Sequence, residues 1–215
     1  MQFDFETLPP DQRYKLMIQC IVPRPIAFVT CRSKDGQVNA APYSFFNCMS
    51  QTPPLVVLGI ENRSTGIPKD TTQYIRETDE FVVNMVDFAM AEKMNVCAAD
   101  FPPGINELAA AGLTEAASVK VKVPRIAESP VSLECRKYMN LEMGRGRSIL
   151  FGEIVHLHVR DAAVSDLERL RIDPGELDLI ARLGGVGYAR TTDRFDLNRI
   201  TYADWLERAD GGAAE

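Results

Sequence analysis

The chain has 215 residues, of which 46% are hydrophobic and 25% are charged, and this size and composition favour one domain with one sizeable core. A net charge of -6 and a pI near 5.1 argue against a protein that binds nucleic acid through a basic surface. No apolar run approaches the about 18 residues of a membrane span, and the first residues lack the pattern of a signal peptide. Five scattered cysteines without a C-x-x-C pair indicate free thiols, so we expect a cytoplasmic protein.

The first part of the chain predicts a short helix followed by a β-hairpin. A helical pattern follows Pro10 and ends before Pro23. Two apolar stretches at residues 26–30 and 38–41 then flank Lys34-Asp35-Gly36, a sequence typical of a tight turn. We therefore expect two antiparallel strands at this point.

Residues 42–50 mix aromatic rings with small polar groups. An ordinary amphipathic strand does not need that mixture, whereas a flat and partly polar ligand does. Phe45 and Phe46 can instead belong to the core, and at least one of them is expected to. The side chains and backbone predicted to contact the ligand ring, directly or as second contacts, belong to Thr30, Tyr43, Ser44, Phe45, Phe46, Asn47 and Ser50.

After one more predicted strand, a polar segment precedes a predicted helix at residues 71–77. Backbone N–H groups at a helix start, together with a lysine and hydroxyl groups, can hold a phosphate. Asp70 can instead cap the helix, with Gln73 completing a capping box. The phosphate is predicted at Lys69, Asp70 and Thr71, with Thr72 beside them. A planar ring beside a phosphate predicts flavin mononucleotide, FMN.

The second half of the chain predicts mainly scaffold. Alternating residues at 131–136 and 154–160 indicate two strands of a long hairpin. His156 and His158 fall on one face of the second strand and could begin a metal site. No carboxylate or cysteine stands at a matching spacing, and an exposed strand face explains both histidines equally well, so we predict no metal.

A glycine-rich segment near residue 185 has two interpretations. The pattern predicts a helix at residues 177–183, ended by glycines at positions 184, 185 and 187. Glycine permits close backbone approach, and Arg182 and Tyr188 can meet a ring or an anion. The segment is therefore either part of the ligand site or a structural helix end.

A series of motifs, in order and spacing, resembles the flavin reductase-like family of FMN-binding split barrels. The resemblance implies a mainly β fold with peripheral helices, a split β-barrel, at residues 23–192. Residues 1–22 would then be a lead segment and residues 193–215 a C-terminal extension. The motifs are Arg24-Pro25-Ile26-Ala27-Phe28-Val29-Thr30, Asn39-Ala40-Ala41-Pro42-Tyr43-Ser44-Phe45-Phe46-Asn47, Pro53-Pro54-Leu55, Lys69-Asp70-Thr71, Glu80-Phe81-Val82-Val83-Asn84, Glu128-Ser129-Pro130-Val131, and Arg182-Leu183-Gly184-Gly185 with Tyr188-Ala189-Arg190.

The resemblance implies an FMN reductase that uses NADH or NADPH as co-substrate. Such an enzyme needs no protein acid or nucleophile, because the two cofactors carry the chemistry. It would supply reduced flavin to a partner monooxygenase or another redox protein, and family members form homodimers that complete each flavin site. The alternatives are a flavoredoxin-like electron-transfer protein with tightly bound FMN, and an FMN-binding protein without redox catalysis.

Overall fold

An antiparallel sheet of seven strands dominates the computed structural model, which describes residues 1–63, 66–102 and 104–211. The described strands, in chain order, are β1 (Arg24–Pro25), β2 (Ala27–Arg32), β3 (Val38–Tyr43), β4 (Phe46–Gln51), β5 (Pro54–Glu61), β6 (Glu80–Met85), β7 (Glu115–Ala116), β8 (Arg125–Ile126), β9 (Val131–Gly144), β10 (Arg147–Val159), β11 (Val164–Asp166), β12 (Arg171–Ile172), β13 (Ile180–Arg182) and β14 (Tyr188–Arg190). The described helices are α1 (Pro10–Cys20), α2 (Asp70–Thr78), α3 (Ala91–Val96), α4 (Glu107–Ala110), α5 (Pro174–Leu177) and α6 (Tyr202–Gly211), with short 3-10 helices at Phe88–Met90 and Asp161–Ala163. Strand order in the large sheet is β3-β2-β6-β9-β10-β5-β4.

The large sheet curls into a barrel, as β2 shows. Ala27 and Val29 of β2 pack in one cluster with Val56 and Leu58 of β5, although the two strands are not neighbours in the sheet. Phe28, which points the other way, packs in a second cluster beneath the outer helices. Both faces of β2 are therefore buried, and the predicted mainly β fold with peripheral helices is confirmed.

The predicted first hairpin is also confirmed. Strands β2 and β3 pair antiparallel, with Thr30 opposite Ala40. Gly36 in the turn has a φ of +89°, a conformation that favours glycine. Each strand ends two residues beyond its predicted stretch, at Arg32 and at Tyr43, because the pairing of β2 with β3 continues to these residues.

The predicted helix at residues 177–183 is wrong. Helix α5 ends at Leu177, and Ile180–Arg182 instead forms β13, which pairs with β1 on one side and β14 on the other. The glycine-rich segment is the turn of the β13–β14 hairpin, in which the Leu183 N–H donates to the Gly187 carbonyl at 3.0 Å. A short apolar run is compatible with a helix or with a strand, and here pairing with the free edge of β1 favours the strand.

The N-terminal helix and the C-terminal hairpin meet at one place. A Cβ on Gly184 would lie 2.7 Å from Cγ of Gln19 in α1, so the turn lies directly against that helix. The division at residues 22 and 192 stays a prediction, and residues 212–215 of the extension lie outside the described chain. None of the described helices is both long and apolar enough to cross a lipid bilayer.

Candidate functional site

A cavity of about 90 Å³ opens at the start of α2. Lys69 and Arg63 bring two cationic groups to its wall. The N–H groups of the first helical turn have no preceding turn to bond, and the positive end of the helix dipole lies there. The cavity therefore offers two cations and backbone donors, the groups that bind an anion, although the carboxyl groups of Asp70, Asp100 and Glu107 also line it.

The predicted capping box at Asp70 is wrong. Lys69 occupies the N-cap position, without a capping side-chain hydrogen bond, and the helix begins at Asp70. The Asp70 carboxylate instead accepts a 2.8 Å hydrogen bond from Nη2 of Arg63, because a charged donor competes successfully with a backbone N–H. Asp70 thus holds Arg63 at the cavity, a role that no sequence signal in the preceding loop revealed.

A buried polar chain runs from this cavity into the protein. With the Asn39 amide oriented to satisfy both of its neighbours, its nitrogen donates to Oε1 of Glu107 at 3.0 Å and its oxygen accepts from the Thr71 hydroxyl at 2.9 Å. The Thr71 hydroxyl was a predicted phosphate donor, yet it is buried and committed to Asn39. Thr71 therefore has its backbone N–H, rather than its hydroxyl, to offer a ligand.

Glu107 is an unusual member of the cavity wall. Burial raises the pKa of its carboxyl group, and hydrogen bonds from its own N–H and that of Ala40 offset part of this effect. A carboxyl group with a raised pKa can be neutral where an ordinary glutamate is charged. The charge of this cavity therefore depends on pH.

A buried hydroxyl group without a partner indicates that a polar ligand fits here. The hydroxyl of Tyr43, which lines the cavity, has no hydrogen-bond partner among the described residues, a costly state unless a ligand or water supplies one. Nζ of Lys69 lies 5.6 Å from the centroid of the Tyr43 ring, so both residues face one region. Two cations, backbone donors and a free hydroxyl match the phosphate group of FMN.

Two further cavities continue from the first along residues 42–47. One of about 200 Å³ shares Pro42 and Tyr43 with the cavity at α2, and one of about 260 Å³ adjoins it at Ser44. Of the residues predicted from sequence, Lys69, Asp70, Thr71, Tyr43, Ser44, Phe45, Phe46, Asn47, Arg182 and Tyr188 line one or more of these three cavities. The site is thus elongated, with Lys69 and Arg63 at one end and aromatic side chains further along.

Two predicted residues have other roles in the structure. Thr30 is fully buried, and its hydroxyl donates to the Pro124 carbonyl at 2.6 Å. Ser50 is exposed on β4, where its hydroxyl accepts from the Thr52 N–H at 3.2 Å. Both hydroxyls satisfy local backbone groups, so the flavin contacts proposed below do not include them.

Arg24 is a positioning residue that the sequence did not reveal. Its buried guanidinium donates to the carbonyls of Ile18 and Ile21 at the end of α1 and to the carbonyl of Leu183 in the C-terminal turn. Its Nε lies 3.5 Å from the Ser44 hydroxyl. One side chain therefore fixes the helix, the turn and Ser44 relative to each other, where the two larger cavities meet.

Comparison with known proteins identifies the family. Residues 18–171 match the model of the flavin reductase like domain. The solved structure of 2-nitrobenzoate 2-nitroreductase NbaA from Pseudomonas fluorescens is 40% identical, covers 94% of this chain and 98% of that one, and superposes with a TM-score of 0.86. Nitrilotriacetate monooxygenase component B from Bacillus cereus is 33% identical, with 92% and 98% covered and a TM-score of 0.85.

A more distant structure supports the fold alone. A split-barrel protein of Shewanella frigidimarina is 22% identical over 94% of this chain and 99% of that one, with a TM-score of 0.78. The family match spans most of the chain, and it includes residues 42–47 and the start of α2, which line the three cavities, but not β13 and β14. This protein is a member of the flavin reductase-like family and has its split-barrel fold.

Proposed function

We propose that this protein is an NAD(P)H-dependent FMN reductase that passes reduced flavin to an oxygenase or another acceptor. The observation that carries the proposal is the row of three adjoining cavities along residues 42–47, with Lys69 and Arg63 beside the start of α2 at one end and aromatic rings beyond it. FMN has the same polarity, with a dianionic phosphate at one end and a planar ring system at the other.

The chain's residues would bind and orient the cofactor. Lys69, Arg63 and the first-turn N–H groups of α2 would hold the phosphate. The backbone of residues 44–46 and the Asn47 amide would meet the polar edge of the ring. Arg24 would keep Ser44 and the neighbouring turn in place, because all of its guanidinium nitrogens are engaged there.

The reaction makes small demands on protein side chains. When bound, FMN accepts reducing equivalents from a nicotinamide cofactor and delivers them to the acceptor. The protein contributes stacking distance, orientation and a positive environment for negative charge. Arg182 is suited to the last task, since its guanidinium lies 4.5 Å from the Tyr188 ring in the middle cavity.

The relatives support more than one acceptor. The 33% identity to a monooxygenase component B favours an oxygenase partner. The 40% identity to a 2-nitrobenzoate nitroreductase favours, as a second candidate, direct reduction of a small aromatic compound on retained flavin. A flavoredoxin-like role in electron transfer to a protein partner is the third alternative, and a cytoplasmic location stays a prediction.

One series of measurements separates these functions. The purified protein is loaded with FMN, its visible spectrum is recorded, and NADH or NADPH is added without oxygen. Bleaching followed by turnover with excess free FMN supports the reductase. Bleaching with turnover only on a nitroaromatic compound supports the nitroreductase, and bleaching with no turnover supports electron transfer. Bound flavin that neither nucleotide reduces would contradict the reductase and the nitroreductase.

Arg182 and Tyr188 provide a kinetic prediction. Arg182→Ala and Tyr188→Phe are expected to lower the rate of NAD(P)H-dependent flavin reduction or the flavin affinity by about tenfold, the scale of a lost hydrogen bond to a charged group. Both side chains are partly exposed, so the melting temperature should hardly change. Stopped-flow absorbance and thermal unfolding measure the two effects. If the two variants instead lose stability while flavin reduction stays normal, the segment around Arg182 and Tyr188 has only a structural role.

Glu107 gives a prediction about pH. Its raised pKa means that the carboxyl is neutral at low pH and becomes negative as the pH rises through that value. A negative charge in the cavity repels the FMN phosphate, so FMN should bind more tightly below the pKa of Glu107 than above it. Fluorescence titration of FMN should show this dependence in the parent and a weaker one in Glu107→Gln. Identical pH profiles for the two proteins would contradict it, and the variant also controls for titration of the phosphate itself.

An exposed apolar stripe supports the proposed homodimer. Met139 and Leu141 alternate along β9 on one face and are each 41% exposed, and Met143, at the bulge that follows them, is 60% exposed. We expect a dimer at micromolar concentration, and Leu141→Asp should weaken it by at least about tenfold by placing a charge in the interface. Sedimentation velocity measures this, with Glu142→Ala as the control. A monomeric parent that retains FMN would refute both the dimer and its role at the flavin site.

A further inference from the structure

We propose that Glu134, His156 and His158 form a site for a divalent metal ion of the zinc class, separate from the three cavities above. Their ligand atoms, one carboxylate oxygen and two imidazole nitrogens, all lie within 4.8 Å of one another. Two histidines and one glutamate are a set that zinc accepts, whereas magnesium and calcium prefer oxygen alone.

Strand register brings the three residues together. Glu134 on β9 stands opposite His156 on β10, and His158 follows two residues later on the same face. The two imidazole rings meet edge to face, with centroids 4.8 Å apart. Glu134 lies 24 residues before His158, which is why the sequence spacing indicated no third ligand.

The carboxylate of Glu134 is held in one orientation by backbone hydrogen bonds. Glu134 is fully buried, and its two oxygens accept N–H groups of Val119, Lys120 and Val121 at 2.6–3.1 Å. A carboxylate that its neighbours orient before binding is suited to be a metal ligand.

The remaining ligand position on Glu134 faces a histidine. Oε1 already accepts the Val119 N–H, and its other side lies 2.6 Å from Nε2 of His158. A metal ion at this position replaces the hydrogen on Nε2, and that proton moves to Nδ1 of the ring or, from an imidazolium, to solvent. Tetrahedral zinc holds its ligands roughly 3.3 Å apart, so the 2.6 Å contact needs to open by less than an ångström.

The position of the site indicates what the metal does. Both histidines are half-buried, and the His158 side chain is 22% exposed, so water can complete the fourth ligand position. Glu134 already links β9 to residues 119–121, and a bound metal adds β10 to that link. Metal binding therefore stabilises the fold around residues 119–121 by mass action.

The test uses full-length protein without a histidine tag. Cys20 and Cys48 are exposed thiols that would compete for zinc, so all proteins carry serine at both positions. Calorimetric titration with Zn²⁺ and thermal unfolding with and without Zn²⁺ compare this parent with His156→Gln and His158→Gln. Leu157→Gln, on the opposite face of β10, is the matched control.

We expect one zinc ion per chain and a higher melting temperature with zinc in the parent and in Leu157→Gln. Both histidine variants should lose at least about tenfold in affinity and most of the thermal shift. His156→Gln decides the outcome, because it leaves the Glu134–His158 hydrogen bond intact and should fold normally. No binding by the parent, or unchanged binding by a folded His156→Gln, would overturn the proposal.

Discussion

Lys69→Ala should weaken FMN binding by about ten- to a hundredfold, the effect of losing one hydrogen-bonded charge from an anion site. Riboflavin lacks the phosphate, so its affinity should stay nearly constant. The ratio of the two dissociation constants, measured by quenching of flavin fluorescence, isolates the phosphate from the ring. Lys34→Ala, in the exposed β2–β3 turn, is the control for a loss of positive charge.

Arg63→Ala should have at least as large an effect. It removes a second cation and leaves Asp70, its 2.8 Å partner, as an unpaired negative charge beside the phosphate. Arg63→Ala with Asp70→Asn should recover part of the affinity, because the repulsion disappears with the carboxylate. If both single variants lowered FMN and riboflavin affinity equally, the phosphate would have to bind elsewhere and the cavity at α2 would be structural.

Gly152→Ala should destabilise the fold by about 3 kcal/mol, the upper part of the usual range for overpacking a core. Gly152 lies on β10 between β5 and β9, and a Cβ there would come 2.2 Å from Cζ and 2.8 Å from Cε1 of Phe81. Phe81 is fully buried, so its ring has no free space to move into. Urea unfolding measures the change in the free energy of unfolding.

Two variants make this stability prediction specific. In a Phe81→Leu background, Gly152→Ala should lower the free energy of unfolding by at least about 1 kcal/mol less than it does in the parent. A difference of this size is the coupling energy expected of two residues in direct contact. Gly59→Ala on β5 should be milder, because its Cβ would lie 3.1 Å from Cβ of Phe45, a contact that a shift of a few tenths of an ångström relieves. Equal costs for Gly152→Ala in both backgrounds would show that the ring is not the cause.

The sequence by itself determined the local elements. Apolar alternation and a Lys34-Asp35-Gly36 turn predicted the β2–β3 hairpin, because turn chemistry and strand period act between residues close in the chain. The sequence likewise predicted the start of α2, after Lys69, to within one residue. The order of short motifs along residues 24–190 was enough to indicate the family and therefore the barrel.

The tertiary structure alone decided which side chains meet. Arg63 takes the carboxylate of Asp70, Glu134 meets His156 and His158, and the ring of Phe81 occupies the space above Gly152. In each case the partner's identity depends on strand register or loop position, which short-range patterns do not encode. The β13–β14 hairpin is the clearest example, since the free edge of β1 turned a sequence with helical periodicity into a strand.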